Sequence, residues 1–229
     1  MLKLIPGHSD SNIFLAGFSL ITLFFFMSNW ADESKKWIIV AFALSAIISW
    51  YNLRNRPTAI PYDENLNFNS LLWIGGGVVM LFLVSLIFAG LLFSDVLNAN
   101  SPLIGLPDLT QGFLPLIPAI TVPLNSLLWQ LFLVANAEET VKFNVQTALY
   151  DWLDNRVGVE VAKFVGFGLP IIIWALMHTM LSYTSGNVTG QVFAAIGAGI
   201  VLTYVIWRTG SLIASILVHG IFNVILMLM

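Results

Sequence analysis

Residues 71–93 have the sequence LLWIGGGVVMLFLVSLIFAGLLF and contain no charged side chain. A helix needs about 20 mostly apolar residues to cross the hydrocarbon core of a bilayer, and this run meets that length. A helix that is apolar on every side also has no face to offer to water. The stretch therefore predicts a membrane-spanning helix.

The whole chain shares this apolar character. It has 229 residues, of which 58% are hydrophobic and 9% are charged, and its mean hydropathy is +0.88. Because a soluble domain carries about 25% charged residues, this chain has too few to cover a water-facing surface. A net charge of -3 without a basic run excludes a nucleic-acid-binding protein, and the lack of cysteine excludes disulfides and thiolate chemistry. The remaining class is an all-α polytopic protein whose partner is the lipid bilayer.

The apolar runs predict a transmembrane helical bundle of about seven spans, with six to eight allowed by a proline-rich region. The runs cover residues 13–27, 37–53, 71–93, 124–146, 165–184, 191–207 and 211–229. Five prolines between residues 94 and 123 favour a loop with an interfacial or re-entrant segment, and the charged stretch 151–163 favours a surface helix. We treat residues 1–229 as a single membrane domain, with accessory spans in 1–112 and a catalytic core in 113–229.

The charges between the runs predict the orientation of the chain. Lys35 and Lys36 lie on the side opposite the N-terminus. More basic residues lie on the side that holds the N-terminus, namely Lys3, Arg54, Arg56, Arg156, Lys163 and Arg208. The positive-inside rule then predicts a cytoplasmic N-terminus.

Ionisable side chains inside the apolar runs are the candidate functional residues. The fourth run contains the adjacent pair Glu138 and Glu139, the fifth contains His178, and the seventh contains His219 and Asn223. A charged group costs on the order of 2.5–3.5 kcal/mol at the centre of a spanning helix, and such groups mark functional sites by default. Their presence in three helices therefore predicts one shared site.

Helical spacing indicates which of these side chains can meet. Residues four apart share a helix face, so His219 and Asn223 project together. Glu138 and Glu139 lie about 100° apart around their helix, and we expect one of them to face the bundle centre while the other pairs elsewhere. Lys142 follows Glu138 by four residues. It could neutralise that carboxylate, but the favoured interpretation is an anchor at the membrane interface.

Together these groups could hydrolyse a peptide bond without a serine or cysteine nucleophile. Glu138 would take a proton from water as a general base, and His178, which shares a helix face with Trp174, would share that water or protonate the leaving amine. His219 and Asn223 would supply hydrogen-bond donors to the developing oxyanion. Glu138, His178 and His219 also match a catalytic zinc site with an open position, although we favour a site without a cofactor.

The order of these motifs resembles the CAAX protease and bacteriocin-processing family, also called CPBP or Abi. That family contains the type II CAAX prenyl endopeptidases and their prokaryotic relatives, which are polytopic intramembrane proteases. Its motifs are two glutamates with an arginine four residues after the second, then Phe-x-x-x-His, then His-x-x-x-Asn. This chain carries three corresponding motifs in that order, within roughly residues 120–229: Glu138-Glu139, Trp174-x-x-x-His178 and His219-x-x-x-Asn223.

The resemblance implies a metal-free glutamic-peptidase mechanism. It assigns water activation to Glu138 with help from His178, and stabilisation of the oxyanion to His219 and Asn223. Glu139 would be structural or would position Glu138. The resemblance further implies a membrane-associated peptide or a prenylated protein as substrate, and the cell membrane of a prokaryote as location.

The chain departs from the family pattern at one position of the first motif. The arginine, which in the family pairs with the second glutamate, is replaced by Phe143, and the nearby cation is Lys142, one residue earlier. This departure favours an alternative function as a catalytically weak or inactive membrane scaffold or immunity protein of the same fold. A proton-coupled transporter with a relay of buried carboxylates and histidines is a further alternative, although we see no internal symmetry of the kind common in transporters.

Overall fold

The computed structural model describes residues 9–28, 35–55, 66–92, 129–181 and 188–228. These residues form seven α-helices and one π-helical segment that leads into the fourth of them. The helices are α1 (Ser9–Ser28), α2 (Lys35–Asn55), α3 (Phe68–Leu92), α4 (Ala135–Val157), α5 (Val159–Leu181), α6 (Val188–Thr209) and α7 (Leu212–Leu228), and the π segment is Trp129–Val134.

Each predicted span overlaps one of these helices, which confirms a polytopic helical bundle. Within the described ranges, three helices are long and apolar enough to cross a membrane, over Phe68–Ile87, Val159–His178 and Val192–Thr209, and shorter apolar stretches occupy Asp10–Leu23 and Leu212–Leu226. Large apolar side chains such as Phe14, Phe68 and Phe164 point outward and are exposed. An outer surface of this kind fits contact with lipid chains, so the chain is an integral membrane protein. The cytoplasmic N-terminus stays a prediction.

The fourth helix differs from the sequence prediction at both ends. The predicted span covers residues 124–146, whereas the structure begins with the π segment at Trp129 and continues as α4 to Val157. The surface helix predicted over 151–163 is wrong, because its first half completes α4 and its second half begins α5. Gly158 separates the two helices with φ 89°, a conformation that favours glycine. The loop and re-entrant segment predicted over 94–123 lie outside the described residues.

Helix α4 lies at the centre of the bundle. It contacts α1, α2, α5 and α7, and every side chain from Val134 to Asp151 is buried or half-buried. Its polar residues therefore face other helices, and each of them needs a partner within the protein.

The side of α4 that faces α1 and α2 is joined to them by hydrogen bonds. The Asn52 amide of α2 donates to Oδ1 of Asn144 at 2.8 Å and to the Asn12 backbone carbonyl of α1 at 3.0 Å. A second hydrogen bond joins α2 to α4: Trp50 Nε1 donates to Oδ1 of Asn136 at 3.1 Å. Such contacts between helices in lipid contribute on average about 0.6 kcal/mol each. They fix how α4 is rotated relative to α1 and α2.

The opposite side of the bundle is an apolar core shared by α3, α5, α6 and α7. Its fully buried members include Leu81, Ala175, Leu202, Val205 and Val218. This core holds α5 and α7 in place on the other side of α4. Two of the helices that carry predicted functional residues, α5 and α7, thus each pack against the third, α4.

Candidate active site

The carboxylate of Glu138 faces two imidazoles from two other helices. Glu138 lies in the first turn of α4 and is 4% exposed. Its Oε2 atom is 3.7 Å from Nε2 of His178 on α5 and 3.8 Å from Nε2 of His219 on α7. Both separations are longer than a direct hydrogen bond.

His178 is oriented by a backbone carbonyl of its own helix. Its Nδ1 atom lies 2.9 Å from the carbonyl oxygen of Trp174, one turn earlier. Since a carbonyl oxygen only accepts, Nδ1 carries the hydrogen, and the neutral ring presents the lone pair of Nε2 to Glu138. The side chain is 24% exposed, which is far more than that of Glu138. His178 can therefore exchange protons with the surroundings of the site.

The second glutamate is enclosed by three partners. Lys142 Nζ lies 2.7 Å from both oxygens of Glu139, Ser215 Oγ donates to Oε2 at 2.8 Å, and Nδ1 of His219 lies 3.0 Å from Oε1. Glu139 is fully buried, and without Lys142 and His219 its carboxylate would be an unpaired buried charge at a high energetic cost. Both oxygens of Glu139 therefore have partners within the protein.

The two adjacent carboxylates contact the same imidazole from opposite sides. Sequence reasoning predicted that one would face the centre and the other would pair elsewhere. Glu139 does pair with Lys142, but it also reaches Nδ1 of His219 while Glu138 faces Nε2 of that ring. His219 therefore lies between the two glutamates, a position that only the relative placement of α4 and α7 could reveal.

The favoured sequence interpretation of Lys142 as an interfacial anchor is wrong. Its side chain has 0% exposure and pairs with Glu139 at i,i+3, and not with Glu138 at i+4. The ammonium also lies 4.8 Å from the centre of the Trp174 ring. A cation over an indole contributes about 2 kcal/mol when it is desolvated, so carboxylate and ring together offset the burial of this charge.

Trp174 forms the wall against which the cation and both imidazoles pack. The residue is 3% exposed, and its ring centre lies 4.4 Å from that of His178 and 6.0 Å from that of His219, both edge to face. The aromatic residue four positions before the motif histidine thus contacts three side chains of the site.

The other two motif positions are Asn223 and Phe143. Asn223 is half-buried on α7, one turn after His219. Phe143, at the position of the family's arginine, is fully buried against Leu53, Ile206 and Leu212. The position is part of the apolar core in this chain.

Ser215 is a site residue that sequence reasoning missed. Its hydroxyl contacts Glu139 and also lies 3.1 Å from the backbone carbonyl of Leu202 on α6. A signal was available, because Ser215 precedes His219 by four residues and therefore shares its helix face. Serine is common in spanning helices as a helix contact, and its spacing alone did not single it out.

Zinc ligation by Glu138, His178 and His219 was the alternative chemistry. The donor types suit zinc, but the described part of the chain contains no group of three or more such side chains arranged to hold a metal ion. We therefore derive no step through a metal.

Comparison with known proteins places the site in a family. The family model of type II CAAX prenyl endopeptidase Rce1-like proteins matches residues 19–225. Comparison with curated proteins gives no significant match, and neither does comparison with solved structures. The matched region includes the second half of α1 and all of α2 and α3 as well as the helices that carry the three motifs, which confirms the resemblance drawn from the motifs. The chain therefore belongs to the type II CAAX prenyl endopeptidase Rce1-like family.

Proposed function

We propose that this protein is an intramembrane endopeptidase that hydrolyses a peptide bond in a membrane-associated substrate. The observation that carries the proposal is the position of Glu138 Oε2, 3.7 Å and 3.8 Å from the Nε2 atoms of His178 and His219. A buried carboxylate beside two imidazoles has the groups that general acid–base hydrolysis requires.

The chemistry begins with a water molecule held between these three side chains. Glu138 removes a proton from the water, and the oxygen attacks the carbonyl carbon of the scissile bond. The tetrahedral intermediate carries its negative charge on the former carbonyl oxygen. It breaks down when the nitrogen leaves as an amine that receives the proton taken from water, and the products are a carboxylic acid and an amine. His178, with Nε2 on the site and partial exposure, assists both proton transfers.

His219 and Asn223 act on the oxyanion. The Asn223 amide can donate in any protonation state. His219 can donate from Nε2 only when both ring nitrogens carry hydrogen, because Nδ1 already donates to Glu139. Glu139 stabilises that charged ring in the way the carboxylate of a catalytic triad stabilises its imidazole.

The substrate class follows from the family and from the membrane location. The family is described as CAAX prenyl endopeptidases, and a prenyl chain is soluble in the lipid that surrounds this bundle. A prenylated C-terminus is therefore the first substrate to test, and a membrane-anchored or leader peptide is the second.

The test uses the full chain in lipid vesicles with three peptides: a prenylated C-terminal peptide, the same peptide without the prenyl group, and a membrane-anchored leader peptide. We expect cleavage by the wild type and a fall in kcat of about 10²- to 10⁴-fold for Glu138→Gln, the range of general-base catalysis. His178→Ala and His219→Ala should also lose activity. Glu160→Gln is the matched control, since Glu160 is exposed and pairs with Lys163.

The outcomes separate the alternatives. Wild-type activity in Glu138→Gln, or no cleavage of any peptide by the wild type, would refute the proposal. Activity that survives chelators, in protein shown by elemental analysis to lack zinc, supports the metal-free mechanism, whereas loss that zinc restores contradicts it. Proton-driven uptake by the vesicles would instead favour the transporter.

The structure weakens the main argument for an inactive scaffold. That argument was the missing arginine at Phe143, yet Lys142 supplies a buried cation to Glu139. We therefore retain a scaffold or immunity function only as the outcome in which partner binding survives the three substitutions and cleavage is absent.

A further inference from the structure

Two features of Lys142 are unusual for a lysine in a membrane protein. It has 0% exposure, although a lysine in such a protein ordinarily extends to the interface. Its ammonium also touches both a carboxylate and the face of an indole. A buried cation with this environment is held in one place, and its effect on the neighbouring groups is fixed.

Lys142 is connected to the groups of the proposed reaction through one residue, Glu139. Lys142 binds both oxygens of Glu139, and Oε1 of Glu139 lies 3.0 Å from Nδ1 of His219. A carboxylate only accepts hydrogen bonds, so the hydrogen of the neutral His219 ring must lie on Nδ1. The lone pair of Nε2 then faces Glu138. Orientation of Glu139 therefore decides which tautomer His219 adopts.

His178 reaches the same tautomer by a separate route. Its Nδ1 donates to the Trp174 carbonyl, a backbone group that Lys142 does not touch. The two imidazoles thus present equivalent Nε2 atoms to Glu138, but only one of them depends on the buried cation. This difference provides an internal control.

The neighbouring position holds an apolar residue in this chain. Phe143 fills an apolar cluster with Leu53, Ile206 and Leu212. From position 142 the ammonium faces Trp174, where the family motif has a phenylalanine. The chain thus departs from the family pattern both at the cation and at the aromatic residue that the cation contacts.

We propose that Lys142, held against Trp174, is a positioning residue that orients Glu139 and so fixes the Nδ1-protonated tautomer of His219 that faces Glu138. The inference rests on the proposed endopeptidase activity for its kinetic consequences, but its structural content is independent of that activity. Lys142 does not contact the substrate, and its effect is transmitted through Glu139.

The kinetic test compares Lys142→Met and Lys142→Arg with the wild type in vesicles. We expect Lys142→Met to lower kcat by about 10- to 100-fold with KM changed less than about threefold, since a misoriented group costs up to about 10²-fold in rate. Lys142→Arg keeps the charge and should recover at least a tenth of the wild-type kcat. Lys163→Met is the matched control, because Lys163 and Glu160 form an exposed i,i+3 pair, and it should match the wild type.

The spectroscopic test measures the tautomers directly. The chain contains three histidines, so isotope-labelled imidazole nitrogens can be assigned with His178→Gln and His219→Gln variants. In the wild type, both His178 and His219 should carry hydrogen on Nδ1. In Lys142→Met, His219 should lose this single tautomer while His178 keeps it. An unchanged His219 spectrum in a folded Lys142→Met protein would overturn the inference.

A second variant guards against a folding defect. In Glu139→Gln/Lys142→Met the pair is replaced by neutral groups of similar size, so no unpaired charge is left buried. We expect this protein to fold, to lose the single His219 tautomer and to keep the low kcat. Wild-type kcat in this variant would overturn the inference. If Glu138→Gln abolishes cleavage while Lys142→Met cleaves normally, the inference fails alone, and if Glu138→Gln has no effect, the proposed function fails.

Discussion

Two neighbouring residues of the same type have opposite environments in this protein. Glu138 faces the Nε2 atoms of two histidines across a gap, whereas Glu139 is in direct contact with Lys142, Ser215 and His219. A carboxylate whose oxygens are all engaged stabilises the fold, and one that is held without tight partners can react. In the proposed mechanism, Glu139 therefore has a structural role and Glu138 a chemical one.

This difference predicts that Glu139→Gln destabilises the protein more than Glu138→Gln does. Loss of one partner of a buried ion pair costs about 3–5 kcal/mol, since Lys142 would keep only an amide oxygen. Glu138→Gln removes no direct ion pair with a lysine or arginine and should cost less than about 1.5 kcal/mol. Unfolding in mixed micelles measures both values, with Glu160→Gln as the exposed control. Equal stability of the two variants would contradict the assignment.

The partner of Lys142 marks the limit of sequence reasoning at the scale of residues. Helical spacing allows Lys142 to reach Glu138 at i+4 or Glu139 at i+3 equally well. The choice depends on Trp174 from α5 and His219 from α7, which make the side of Glu139 the better site for a cation. Tertiary contacts therefore decide which glutamate Lys142 pairs with, and the sequence of a single helix does not show it.

At the scale of elements, the site depends on how closely α7 approaches the π segment. A Cβ atom added to Gly220, the residue after His219, would lie 2.5 Å from Cδ1 and 3.0 Å from Cα of Leu131. An added methyl group would press against both the side chain and the backbone of Leu131. The π segment directly precedes the turn that carries Glu138, so the contact sets the distance between the glutamate and His219.

We therefore expect Gly220→Ala to impair catalysis. The clash with the backbone of Leu131 should displace α7, which costs about 1–3 kcal/mol of stability and lowers kcat/KM by about 10- to 100-fold through misplacement of His219. Gly168→Ala on α5 is the control, because nothing lies within 4 Å of its added Cβ, and alanine is the better helix former. If both variants keep wild-type kcat/KM, the contact does not position the site.

The elements were predictable from the sequence where hydrophobicity alone decides them. Apolar runs located α1, α2, α3, α6 and α7 because these helices meet lipid on at least one side. They failed for the end of α4, where Asp151 and Arg156 suggested a water-exposed helix. In the structure Asp151 is buried, whereas Arg156 is exposed and pairs with Asp10 of α1 at 3.3 Å. A buried charge such as Asp151 cannot be told from a solvated one by inspection of one segment.

At the scale of the whole molecule, α4 joins the N-terminal helices to α5 and α7. One side of it bonds to α1 and α2 through Asn136 and Asn144, and the other side carries the glutamates. The division into accessory spans 1–112 and a catalytic core 113–229 stays a prediction, but the accessory part covers a polar face of the core.

This arrangement predicts that residues 113–229 do not work alone. Without α1 and α2, the amides of Asn136 and Asn144 would meet lipid, where an unpartnered polar group costs several kcal/mol. We expect the fragment to accumulate poorly and to show no cleavage, and its coexpression with residues 1–112 to restore both. A fully active fragment 113–229 would show that the N-terminal helices are dispensable.

The ion pair between Glu139 and Lys142 has a consequence for how the protein is made. A ribosome completes α4 before it completes α7, so His219 and Ser215 do not yet exist when α4 first meets the translocation machinery. Each bare charge at the centre of a spanning helix opposes insertion by about 2.5–3.5 kcal/mol. Because Lys142 lies on the same helix as Glu139, at i,i+3, the newly made segment can neutralise its own charges. The helix can then enter the bilayer before the later helices that complete its site are made.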